Sequence, residues 1–472
     1  MMRGLEAVEI KLSELERTSR IDSEFYKKEN LTALSVLDKT DHVPLTDFFT
    51  VSDGNHMSIS HDFREEGVRY YRGGDSHSFF IEESNPVCIG RETYDLPTMK
   101  RSHLSKDDLL ISIVGTIGNI CIVRTDAAQT CNCKLAILRP KQDEKTMIAA
   151  VFLKGKYGQN QIQKFKRGAV QMGFLLEDMS QIIIPVFSEN FCNRIEQAVR
   201  QMDEALKSAA NAYLDAEKFL LAELGLTTFA PSNEPVTVKS FSDSFGTSER
   251  LDAEYYQPKY ESYHQIIAGY NHGTTTVGME FDMVKTSSNK TKGCYPYIEI
   301  GDINVGDGSF MHNYVLTEEL PANAKIHVSE GDLLISKVRP YRGAVAVIDR
   351  EIDDLIVSGA FTVLREKSNY PKETLAVLLR SSLYKDWLLK WNVGSSYPVI
   401  KDDDVLGMLI PNLPSGVHDV VKLKINKSQG LRRQSEQLLE MAKRAVEIAI
   451  ESGEEKAMKF INSGTAALPQ EV

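Results

Sequence analysis

Three loop-like stretches in each half of this chain carry the side chains best suited to chemistry. In the first half, "VRYYRGG" holds Arg69, Tyr70, Tyr71 and Arg72, "TMKRSH" holds Lys100 and Arg101, and "QKFKRGAVQ" holds Lys164, Lys166, Arg167 and Gln171. In the second, "KTSSNKTKG" holds Lys285, Lys290 and Lys292, "SKVRPYRG" holds Lys337, Arg339, Tyr341 and Arg342, and "WNVGSSYP" holds Asn392, Ser395, Ser396 and Tyr397. An Arg fork matches the two acceptors of guanine and an Asn or Gln amide matches adenine, while Lys and Ser suit phosphates. Gly-punctuated loops on a strand scaffold are where such groups are commonly presented. The same residues could also be no more than a solvated surface.

Groups that make or break bonds are missing from the pattern. No G-x-G-x-x-G follows a strand, no G-x-x-x-x-G-K-[ST] occurs, and neither H-E-x-x-H nor G-x-S-x-G is found. "GTIG" at Gly115 reads as a turn between strands, and "SLYK" at Ser382 matches S-x-x-K by chance within an amphipathic helix. Carboxylate clusters at Asp107 and Asp108, and at Asp402 to Asp404, read as capping or solvated groups. Cys88, Cys121, Cys131, Cys133, Cys192 and Cys294 include no C-x-x-C pair, so neither a disulfide framework nor a zinc site is expected. The reading is a protein that binds and does not catalyse.

The elements that must position these loops occur twice. "RIDSEFY" at Arg20 returns as "RLDAEYY" at Arg250, an offset of 230. "YYRGGD" ending at Asp75 returns as "YIEIGD" ending at Asp302, offset 227, and "DLLISIVGTIG" from Asp108 as "DLLISKVRPYRG" from Asp332, offset 224. "KRG" ending at Gly168 matches "NVG" ending at Gly394, and "IIIP" ending at Pro185 matches "MLIP" ending at Pro411, both at 226. Five landmarks in one order define a tandem duplication. "DLLIS", "GD" and "IP" are shared, whereas "TIG" against "RPYRG" and "KRGAVQM" against "NVGSSYP" diverge, as two readers of different texts would.

Within each copy, runs such as "DLLISIV", "LAILRP", "AVAVI" and "FTVLRE" predict strands. A helical stretch follows at Met147 to Lys164 and at Glu373 to Trp391. After each closing Pro comes a long Pro-free helix. The first has apolar residues at Phe191, Ile195, Ala198, Met202, Ala205, Ala209, Ala212, Ala216 and Phe219, and the second at Leu438, Met441, Ala445, Ile448 and Ala449. Steps of three and four with small residues predict two rods, each of roughly 50 Å if ~35 residues rise ~1.5 Å apiece, pairing as an antiparallel coiled coil. Helix-pairing residues are then Ile195, Ala198, Met202, Ala205, Ala209, Leu438, Met441, Ala445 and Ile448. The expected fold is α+β, two mixed α/β recognition domains at opposite ends of the paired rods. The boundaries are 1–187 and 227–414 for the domains, 188–226 and 415–462 for the helices, and 463–472 for a flexible tail.

The 472 residues carry a formal charge of -11, which argues against a phosphate-tracking surface over the whole chain but not against local basic patches. The longest near-apolar run, Leu109 to Val123, is interrupted by Ser112, Gly115, Thr116, Gly118 and Asn119, and charges occupy the N-terminal stretch. A cytoplasmic protein without membrane association is expected.

On these landmarks the chain resembles the DNA-specificity subunit of a type I restriction-modification system. The resemblance rests on "RIDSEFY" and "RLDAEYY", "RGGD" and "IGDI", "DLLISIVGTIG" and "DLLISKVRPYRG", "IIIP" and "MLIP", and the long helix after each. It implies two target-recognition domains, each reading one half of a bipartite, asymmetric sequence in double-stranded DNA. It also implies docking of two adenine methyltransferase subunits and of restriction and motor subunits. S-adenosylmethionine, ATP and Mg would belong to those partners, with no cofactor or metal in this chain. "RPYRG" departs from the "GTIG" form of the first copy, so base contacts do not transfer between halves. A subunit of a methylation-only or phage-defence complex, or a non-enzymatic scaffold binding proteins at two ends, are the alternatives.

Overall fold

The computed structural model describes residues 8–12, 15, 20–81, 87–141, 146–168, 172–287, 290–394 and 397–466. The chain divides into two compact units, one of Met1–Ala205 with Arg433–Val472, the other of Leu206–Arg432. The first unit contains the block 1–187 and the second the block 227–414. Each takes one stretch of both long helices, because a helix half with an apolar seam has to bury it against its own unit's core.

In the first unit an antiparallel sheet runs in the order Phe49–Asp53, Leu135–Pro140, Leu109–Ser112, Ile120–Ile122. Leu109 and Ile111 face the main core, which holds the helices, while Leu110 faces a smaller cluster with Tyr71, Cys121 and Ile137. Alternation along a strand makes this split, and it explains why "LLIS" is apolar throughout: both faces are covered. A second sheet orders Val87–Ile89, Val68–Tyr71 and Gln129–Cys131, the last two strands parallel. His42–Pro44 pairs with Ile183–Pro185.

The second unit repeats this plan. Phe281–Met283, Phe361–Glu366, Leu333–Ser336 and Val345–Val347 form its antiparallel sheet. Asn313–Leu316, Cys294–Ile298, Ile356–Ser358 and Ala324–His327 form the other, again with one parallel pair, Tyr297 beside Ile356. Thr274–Thr276 pairs with Leu409–Pro411.

The helical stretch expected as one piece is two helices in both units. Thr146–Lys154 and Lys156–Lys164 are separated at Gly155, and Lys372–Arg380 and Ser382–Trp387 at Ser381. Both hinge residues have extended backbone, φ -77 and ψ 173 at Gly155, φ -63 and ψ 152 at Ser381. The fold-back is tight in the first unit, where a β-carbon on Gly158 would lie 2.3 Å from the Leu153 Cα. The residue just before each hinge is a cation turned into the fold, Lys154 half-buried and Arg380 buried. Lys154 donates to the carbonyls of Ile120 at 2.7 Å and Ser78 at 3.2 Å, and Arg380 donates to the Val305 carbonyl at 3.0 Å and the Tyr213 hydroxyl at 2.7 Å.

The long helices span Glu189–Glu223 and Ser415–Ser452. In the first unit Ile195, Ala198 and Met202 share a core with Leu438 and Ala445, and Met441 and Ile448 pack partly buried against it. Ala205 is buried there as well. In the second unit the Ser428 hydroxyl donates to the Ala209 carbonyl at 2.7 Å and Lys424 lies 3.7 Å from Asp215, a pairing that runs antiparallel. Two details differ from the expected seam. Tyr213 and Leu220 are buried where Ala212 and Phe219 were expected, because a straight helix drifts from a 3.5-residue repeat. The second helix also stops at Gly453, whose φ of +93 closes its end. A further helix, Glu454–Ala466, buries Ala457 and Ile461 in the first unit's core. Residues 463–466 are therefore helical, and 467–472 lie outside the described residues. Among the described residues no helix is long and apolar enough to cross a membrane.

Candidate nucleic-acid interface

The two divergent segments of each copy come together, although each pair is separated by about 60 residues of chain. In the first unit Arg167 and Gly173 exchange backbone hydrogen bonds at 3.0 and 2.8 Å, making a small hairpin, and Gly173 also bridges Val114 in the "VGTIG" loop. In the second unit Val393 and Val399 exchange bonds at 3.0 and 3.3 Å, and Val399 bridges Val338 in the "VRPYRG" loop. The positions correspond one for one, 393 minus 167 and 399 minus 173 both being 226. One backbone device thus carries different side chains in the two units.

Arg339 is the most distinctive residue of the second tip. Its backbone is left-handed, φ +51, held by a bond from its N–H to the Pro398 carbonyl at 2.8 Å. Its guanidinium lies over the Tyr397 ring, 4.3 Å from the centroid, and that ring is 62% exposed. A flat cation stacked on an accessible aromatic face offers both a forked donor and a stacking platform. Tyr341 and Arg342 follow on the turn Pro340–Arg342 and are exposed. Asn392 is not free to read a base here: its Oδ1 accepts the Val399 N–H at 2.9 Å and its amide donates to the Gly394 carbonyl at 3.2 Å. The first tip has Gly115 at the place of Arg339, with φ +86, so a conformation that costs nothing for glycine is forced on an arginine in the second copy.

Several candidates from sequence are core side chains. Tyr70 is 5% exposed, and burial pushes its phenol pKa up. Its counterpart Tyr297, 227 residues on, is equally buried. Lys164 is also buried, its ammonium 4.2 Å from the centre of the Phe25 ring. Lys337 is mostly covered and 3.0 Å from Asp402. These residues are corrections to the expected surface set. A strand between two cores has no exposed face for Tyr70, and the aromatic wall around Lys164 leaves it no route to solvent.

Others sit at the surface in ion pairs. Arg167 pairs with Asp178, Arg101 with Asp53, and Lys292 with Asp354. Arg72 is 3.6 Å from Asp75 on the "RGGD" turn. That turn adjoins the first tip, for a β-carbon on Gly73 would stand 3.8 Å from the Val114 carbonyl. Lys100, beside Arg101 on the turn Pro97–Ser102, and Lys290 are exposed, while Arg69 and Lys166 are half-buried. Lys292 belongs to a second neighbourhood with Asp354 and His327. Gln171, Ser395 and Ser396 lie outside the described residues.

Sequence reading did not give a role to Arg20 and Arg250, although it singled out their motif. Their side chains reach the tips, and the signal available was that both copies keep them. Among the described residues no cluster of three His, Cys, Asp or Glu is placed to hold a metal ion.

Comparison with known proteins gives one curated relative of clear kind. Over 125 residues the chain is 29% identical to the type I restriction enzyme HindI specificity subunit of Haemophilus influenzae, a match covering 25% of this chain and 27% of that protein. The chain thus spans about a quarter of the length of the curated relative it matches. No protein-family model matches. Among solved structures, the S subunit of a type I restriction-modification system from M. genitalium aligns over 92% of this chain and 98% of its own, at 14% identity and a TM-score of 0.33. The HsdS subunit from Thermoanaerobacter tengcongensis aligns over 87% and 96%, at 14% identity and a TM-score of 0.28.

Proposed function

We propose that this chain is the DNA-specificity subunit of a type I restriction-modification complex. Each unit's clamped tip reads one half of a bipartite, asymmetric sequence in double-stranded DNA. The observation that carries this reading is the repeated tip: identical backbone bonding at Arg167–Gly173 and Val393–Val399, joined to Val114 and Val338, with unrelated side chains on the two copies. A scaffold for two identical protein partners would have reason to keep its tips alike. The match to the HindI specificity subunit supports the same reading.

Bond-making belongs to partners in this account. Two adenine methyltransferase subunits using S-adenosylmethionine dock on the chain, and restriction and motor subunits using ATP and Mg join them in the cytoplasm. The chain's own part is to choose the site. Co-expression with its methyltransferase partner, followed by genome-wide mapping of methylated adenine, tests this directly. The account expects two short specified blocks separated by unspecified base pairs; methylation at one uninterrupted motif, or none with the partner bound, overturns it.

A further inference from the structure

The duplicated R-x-D motif touches the tips in both units, and in the same way. Arg20 forks onto Asp22, Nε to Oδ2 at 2.7 Å and Nη2 to Oδ1 at 2.8 Å, and its Nη2 also donates to the Lys166 carbonyl at 3.1 Å. Arg250 forks onto Asp252 at 2.8 and 2.6 Å, and its Nη2 donates to the Asn392 carbonyl at 2.9 Å. Each guanidinium is also 4.6 Å from an aromatic ring centre of its own motif, Phe25 or Tyr255. Lys166 and Asn392 are equivalent, 226 apart, and each immediately precedes the hairpin pair, Arg167 with Gly173 or Val393 with Val399.

From this repeated contact we propose that Arg20 and Arg250 are positioning residues for sequence readout, each fixing the backbone at the root of its own unit's tip. The inference rests on the proposed function and adds to it the parts that hold the reading groups in place.

The physical case is one of reach and rigidity. The Arg20 side chain is 10% exposed and the Arg250 side chain 23%, so both guanidinium groups are largely turned into the fold. Asp22 and Asp252 orient the fork, and the same Nη2 also donates to a carbonyl more than 140 residues away in sequence, with Arg20 Nη1 reaching the Lys164 carbonyl at 3.5 Å as well. Charge-assisted bonds of this kind are the stronger ones. A readout group displaced by even 1 Å loses much of its discrimination, and shells that lock such groups commonly decide specificity. In the second unit the chain of bonds runs from Arg250 to Asn392, from the Asn392 side chain to Val399, and through the Pro398 carbonyl to Arg339.

The test uses the full chain with its methyltransferase partner, in three variants of the second unit: Asp252→Asn, Arg250→Lys and Arg250→Leu. Methylation is mapped for each, and thermal melting is followed in parallel. The inference expects the specified positions of one half-site to relax in that order, by roughly 10-fold or more in discrimination for Arg250→Leu, with the other half-site unchanged. Arg20→Leu should relax the opposite half. If Arg250→Leu does not fold, Arg250→Lys and Asp252→Asn must still show the half-restricted loss. A uniform fall in methylation at an unaltered motif would overturn the inference while leaving the proposed function standing. A wild-type map without a split motif would overturn the proposed function itself.

Discussion

Arg139 forks onto the fully buried carboxylate of Asp108, Nε to Oδ1 at 2.9 Å and Nη2 to Oδ2 at 2.7 Å, and Arg365 grips the equally buried Asp332 at 2.7 and 2.8 Å. Each carboxylate also accepts a backbone N–H three residues earlier, from Ser105 or Ser329. The Asp of "DLLIS" therefore starts the central strand in both units by closing a turn and locking it to the neighbouring strand. Each arginine side chain is itself about half exposed, 49% and 52%, so removing it costs less than breaking a fully buried pair, about 1 to 3 kcal/mol. Arg139→Met or Arg365→Met should lower stability by that order in denaturant unfolding, and Asp108→Asn in the Arg139→Met background should recover part of the loss.

Lys154 carries a pH signature. Burial is the main cause that lowers its pKa from 10.5 to about 8 in the folded chain. Between those values the unfolded chain holds a proton that the folded chain has released, so this residue's contribution to stability grows as pH rises from 8 to 10.5 and falls as pH drops back. Relative to Lys154→Met, the wild-type protein should gain stability across that window. A stability difference that stays flat from pH 8 to 10 would show that the ammonium titrates as if in water.

Arg339 separates folding from recognition. Its left-handed backbone costs roughly 1 kcal/mol in an L-residue with a β-carbon, and the first copy has Gly115 there. Arg339→Gly should thus melt within about 1 kcal/mol of wild type, the relief of strain being opposed by the greater freedom of glycine in the unfolded chain. Methylation mapping of the same variant should show one half-site relaxed.

The basic residues at the tips are few, and Arg167 is neutralised at home by Asp178, as Lys292 is by Asp354 in its separate neighbourhood. With a net charge of -11 overall, the isolated chain should bind DNA weakly. Its affinity should fall with salt at a slope corresponding to about three phosphates or fewer. A fluorescence-anisotropy titration across salt concentrations checks this; a tight complex with a steep slope would mean that the chain holds the DNA backbone by itself.

Much of this molecule could be read from its sequence because the duplication provides an internal comparison. The strands at "DLLIS", the closing prolines and the long helices follow from local pattern. The break at Gly155 and Ser381 did not, since both flanking segments keep helical periodicity and only the fold-back needs the hinge. Tyr70 was misplaced for an instructive reason. It is shared with Tyr297, and residues kept by both copies here are scaffold: Asp108 with Asp332, Arg20 with Arg250. The meeting of Val114 with Gly173, and of Val338 with Val399, was beyond reach because it is a long-range backbone contact with no side-chain signature. Burial of Lys164 was hidden likewise, the nearest ring to its ammonium, Phe25, being far away in sequence.

That each unit reads its own half of a split target is tested most directly by altering one tip at a time. Tyr397→Ala with Arg339→Ala removes the exposed stack of the second unit, and Arg167→Ala alters the first. Methylated adenines mapped in cells carrying each variant with the methyltransferase partner should show one half-site relaxed by the first change and the other half-site by the second. Relaxation of both halves together from either change, or an unaltered map from both, would contradict the account.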